Sequence, residues 1–70
     1  MSYTSKLGTW AWIEGVALAN IDDGPEARRE SFAWCEGVVA GMYEAGKLYY
    51  LDKVWLENQI RQFRIRLEVS

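Results

Sequence analysis

Pro25 is the only proline in the chain, and it follows Asn20, Ile21, Asp22, Asp23 and Gly24, a run that favours a turn over any regular element. Proline is tolerated at the start of a helix but not within one, because its ring removes an N–H that later helical positions need. One helix must therefore end near residue 20 and another begin at 25, with Gly24 or Asp23 capping ahead of it. Gly46 punctuates the chain a second time, since glycine suits the left-handed position that closes a helix. Asp52 reads as the N-cap of a last helix, with Leu51 and Leu56 placed as a hydrophobic staple across it. The chain is expected to be all-α: a small three-helix bundle with helices over about 4–20, 25–45 and 53–67. A short extended link over 47–51 precedes the third helix, and residues 1–70 form a single helical domain.

The third helix has the narrowest apolar stripe. Leu56, Ile60, Phe63 and Leu67 recur at helical spacing, and the pairs Glu57 with Arg61 and Arg64 with Glu68 lie four apart on the wet side. Residues 63–69 also alternate apolar and polar as a strand would, and 48–51 could pair with them. The wealth of helix formers between Gln59 and Glu68 favours the helix. On the second helix Phe32, Trp34, Cys35, Val38, Val39, Met42 and Tyr43 form a broad apolar arc. Beyond it runs a row of small residues, Ala33, Gly37, Gly41 and Ala45. Glycine inside a helix costs about 1 kcal/mol relative to alanine, so the row invites close approach by another helix. The first helix has no polar face. Leu7, Trp10, Trp12, Ile13, Val16, Leu18 and Ile21 spread around it, beside a second small row of Gly8, Ala11, Gly15 and Ala19.

A helix apolar all round is buried on more than one side, and this chain is too short to supply the cover. It has 70 residues, ten of them aromatic and four of those tryptophan. Below about 70–80 residues a single core seldom holds a fold without a staple. One cysteine makes no internal disulfide, and no metal motif is recognisable. A partner is the staple that remains, and a homodimer is expected. The lone cysteine and the absence of a signal-like leader fit a reducing cytoplasm. No apolar run approaches a membrane span, since Glu14 and Asn20 interrupt the longest. Charge is uneven: residues 1–46 carry seven acids against three bases, and 47–70 carry three acids against five bases. Such asymmetry can orient a partner.

Most chemistries are closed off by what is missing. The chain has no histidine, which removes histidine acid–base catalysis, Ser-His-Asp triads and zinc sites built on imidazole. Cys35 falls among Phe32, Val38 and Val39, where a thiol behaves as a small hydrophobe and not as a nucleophile. Asn20, Asp22, Asp23 and Glu26 crowd one turn, which invites a calcium reading. Counted from Asn20, however, glycine comes fifth and Ser31 twelfth, so the EF-hand pattern fails. Neither phosphate-binding glycine motif occurs. No enzyme activity, cofactor or metal is expected.

Two constellations are left. Arg61, Arg64 and Arg66, with Lys53, Tyr49, Tyr50 and Trp55 nearby, make the one basic patch that could meet a nucleic acid. Their scatter around a helix and the net charge of −2 argue against it. Glu14 stands within the apolar surface of the first helix, where a water-excluded carboxylate needs a partner. Arg28, Arg29, Arg61 and Arg64 are the candidates. The reading is a small non-enzymatic helical protein of regulator or inhibitor type that binds a protein partner. Trp10, Trp12, Glu14, Trp55, Arg61 and Arg64 are its expected contact residues. In composition it is of a type met among accessory and phage-type regulators, an association of type alone. The alternative is a DNA-binding transcriptional regulator using the basic C-terminal segment.

Overall fold

The computed structural model describes residues 4–69 and shows three α-helices: α1 (Lys6–Ala19), α2 (Pro25–Glu44) and α3 (Tyr50–Val69). The fold is a small three-helix bundle, as expected, and the described residues include no strand. Residues 63–69 are helical, so the alternating pattern there loses to helix propensity and to the Leu56, Ile60 and Phe63 stripe, which is buried.

Local chemistry sets each helix end. Ser5 caps α1, its Oγ accepting from the Gly8 N–H, while Thr9 is buried with its hydroxyl donating to the Ser5 carbonyl at 2.8 Å. At the other end the Asn20 side chain donates to the Val16 carbonyl at 2.8 Å. Gly24 takes φ 101° and Pro25 opens α2 behind it. Past Ala45, Gly46 adopts φ 76° and donates to the Tyr43 carbonyl, while Lys47 donates to that of Met42 at 2.8 Å. These paired bonds are a Schellman closure, which needs the left-handed residue that glycine supplies without strain.

The link to α3 is shorter than the sequence suggests. Lys53 donates its N–H to the Tyr49 carbonyl, so the helix starts at Tyr50 and Asp52 lies in its first turn instead of capping it. Leu51 is therefore helical and 76% exposed, and the expected staple with Leu56 does not form. Leu48 instead drops its side chain into the core, and the neighbouring Lys47 carbonyl accepts the Thr4 N–H at 2.8 Å. Burying Leu48 leaves too little chain for an extended segment before the next helix.

The core joins Ile13 and Ala17 of α1, Phe32, Cys35 and Val39 of α2, Leu48, and Leu56, Ile60 and Phe63 of α3, all buried. Trp10, Met42, Trp55 and Leu67 pack around it. Trp10 meets Phe63 edge to face at 5.9 Å, and Phe32 meets Phe63 at 6.0 Å. The buried arc of α2 is narrower than expected. It is centred on Cys35 and Val39, and Trp34 and Tyr43 at its two edges stay 41% and 38% exposed. Only two neighbouring helices are available to cover α2, and both dock on the same side. Of the expected side-chain pairs, Arg64 and Glu68 meet at 3.6 Å, but Glu57 turns to Lys53 at 3.3 Å, not to Arg61.

Candidate interaction surface

Three buried residues of α1, Thr9, Ile13 and Ala17, lie on one side of the helix. At about 100° per residue the opposite arc reads Leu7, Leu18, Ala11, Gly15, Gly8, Ala19 and Trp12, and all seven are exposed. Lys6 and Glu14 are the only charged residues in this helix. Glu14 falls at the rim of the outward arc, half-buried, and makes no ion pair among the described residues. The partners considered for it within the chain do not reach it. Arg64 is held between Glu36 at 3.7 Å and Glu68 at 3.6 Å.

Trp12 is 52% exposed and leans on Trp34 of α2, ring centroids 5.3 Å apart and planes at 76°. The two indoles form a ridge that bridges α1 and α2 on the outside of the bundle. The small residues beside them are open. A Cβ placed on Gly15, Gly37 or Gly41 would meet nothing within 4 Å. The expected close approach along Gly37 and Gly41 therefore does not occur between helices of one chain. The helices contact one another through the opposite sides, where the large side chains are.

The other expected contact residues are dispersed. Trp10 and Trp55 face inward as half-buried edges of the core, and the Lys6 ammonium lies 5.1 Å from the Trp55 ring. Arg61 is exposed on α3, and Arg66 stacks its guanidinium over Phe63 at 5.6 Å. Lys53 sits between Glu57 and the rings of Tyr43 and Tyr50. The basic residues of α3 thus point to separate neighbours and present no single surface. Trp34, which the apolar pattern assigned to the core, belongs to the exposed ridge. Its position beside Gly37 and Gly41 on the helical wheel was the signal.

Cys35 is fully buried, and that burial pushes its thiol up to about 11. It stays protonated at neutral pH and is a packing residue. Among the described residues no three of Cys, Asp and Glu gather to hold a metal ion, and no helix is long and apolar enough to cross a membrane. Comparison with protein-family models, with curated proteins and with solved structures finds no match to this chain.

Proposed function

We propose that this chain is a non-enzymatic helical interaction protein whose first partner is a second copy of itself, and that the pair acts on a larger protein as a regulator or inhibitor. The observation that carries the reading is the uncharged outward arc of α1 joined to the Trp12 and Trp34 ridge. Apolar surface of this extent costs free energy in water at about 25 cal/mol per Å². A stable dimer draws roughly 800 Å² from each copy, about a sixth of the 4691 Å² this chain presents.

Self-pairing is favoured over a foreign partner by shape. The indole ridge lies beside the open small-residue rows of Gly15, Gly37 and Gly41. A two-fold axis through such a face seats the ridge of one copy in the groove of the other, and both contacts are made at once. The bases of α3 that would favour nucleic acid gain no comparable support, because Lys53, Arg64 and Arg66 face different neighbours along the helix.

Sedimentation equilibrium at micromolar concentration tests the pairing. The expected result is twice the 8.1 kDa chain mass, returning to the single-chain mass in a Trp12→Ser, Trp34→Ser double variant. A wild-type chain that stays at the single mass at every concentration would overturn it.

A further inference from the structure

We propose that the cleft between the start of α2 and the end of α3 binds an amphipathic anion, a carboxylate or phosphate monoester on a short apolar body. The cleft has a volume of about 560 Å³, within the range of small-molecule sites. Its chemistry is two-sided. Phe32, Leu67 and Pro25 supply an apolar floor, while Arg28, Arg29 and Arg64 line it with guanidinium groups. It lies at the end of the bundle away from the Lys47 loop and does not depend on the dimer reading.

The arginines are under-used by the protein itself. Neither Arg28 nor Arg29 has a carboxylate within 4.0 Å among the described residues. The Nε of Arg28 is buried and donates to no acceptor there. That N–H is closed to solvent, so it leaves the guanidinium charge unanswered, and an anion in the cleft would meet Arg28 through its terminal nitrogens. The ion pairs of Arg64 are long, 3.7 Å to Glu36 and 3.6 Å to Glu68, against the roughly 2.7–2.9 Å of a good charge-assisted bond, and its guanidinium lies 5.9 Å from the Phe32 ring centroid. Gly24 supplies no side-chain cap to α2, so nothing on that residue competes for the first-turn N–H groups. Glu68 lines the same cleft and repels inorganic phosphate and a phosphate monoester alike, so the apolar body is what sets the amphipathic anion apart. Phe32 and Leu67 are where that body would rest.

The test follows the arginine side-chain Nε–H resonances by NMR while hexyl phosphate, hexanoate, hexanol or inorganic phosphate is added. Saturable shifts led by Arg28 are expected with at least one of the two amphipathic anions, and which of them binds tells phosphate from carboxylate as the source. Hexanol and inorganic phosphate should each bind at least about tenfold more weakly. Arg29→Gln, a change at an exposed residue, should weaken the amphipathic anion about tenfold, the loss of one charge-assisted bond. Arg28→Gln should do the same, with circular dichroism confirming an unchanged helix content. Inorganic phosphate binding as well as hexyl phosphate would overturn the apolar half of the proposal, and hexanol binding as well as either would overturn the anionic half. Shifts spread equally over Arg61 and Arg66, or none that saturate, would overturn it entirely.

Discussion

The indoles of Trp12 and Trp34 meet edge to face at 5.3 Å across the α1–α2 boundary while each keeps about half its surface in water, 52% and 41%. An edge-to-face pair is worth about 0.5–1.5 kcal/mol beyond area burial. A double-mutant cycle of Trp12→Ala and Trp34→Ala, read by urea unfolding at high dilution, should return a coupling in that range. A coupling indistinguishable from zero would mean that the two rings pack independently on the bundle.

Gly41 offers open space within the monomer, so the helix-propensity term should decide the sign of a substitution there. Gly41→Ala is expected to stabilise the dilute protein by up to about 1 kcal/mol. Gly41→Leu should likewise not harm the monomer but should fill the groove and weaken pairing in sedimentation. A loss of monomer stability with Gly41→Ala would contradict the open face, and unweakened pairing with Gly41→Leu would contradict the groove.

Glu14 sits at the rim of the uncharged arc with no ion pair among the described residues. Within one chain, Glu14→Gln should therefore change stability by no more than about 0.5 kcal/mol. In the proposed dimer the rim would meet the partner, and the same substitution should then shift the dimerisation constant without shifting the unfolding midpoint of the dilute protein. A cost of several kcal/mol at high dilution would instead reveal a paired, water-excluded carboxylate in the monomer.

Cys35 provides a pH signature. Burial holds its thiol at about 11 in the folded chain, against an ordinary value of 9.0. Below the lower value both states keep the proton, and the thiol's contribution is fully present. Between the two values the unfolded chain loses the proton that the folded chain retains, so stability falls as pH rises. The fall levels off above the folded value, after a loss of roughly 3 kcal/mol. Other groups titrate there too, so the measurement is the difference in unfolding free energy between wild type and Cys35→Ala across this range. That difference should narrow as pH rises; a constant difference would show that the thiol is less sequestered than its packing implies. At neutral pH an aromatic disulfide reagent should label Cys35 only as fast as the bundle opens.

Helix number and most helix ends were legible in the residues themselves. Pro25 and Gly24 place the start of α2, and Gly46 places its end, because a missing N–H and a positive φ are constraints that no tertiary contact can remove. The stripe of Leu56, Ile60 and Phe63 was legible for the same kind of reason, since its spacing matches one periodic face. Tertiary structure decided the rest. Leu48 was drawn into the core, and this moved the start of α3 back to Tyr50 and stranded Leu51 in solvent. Trp34 and Cys35 are neighbours in sequence and both apolar, yet one is 41% exposed and the other fully buried. Hydrophobicity says only that a side chain gains by leaving water; which side chains succeed depends on where the other two helices dock. The cleft at Arg28, Arg29 and Arg64 has the same origin. More than thirty residues separate its two sides in the chain, and only the antiparallel packing of α2 against α3 brings them together.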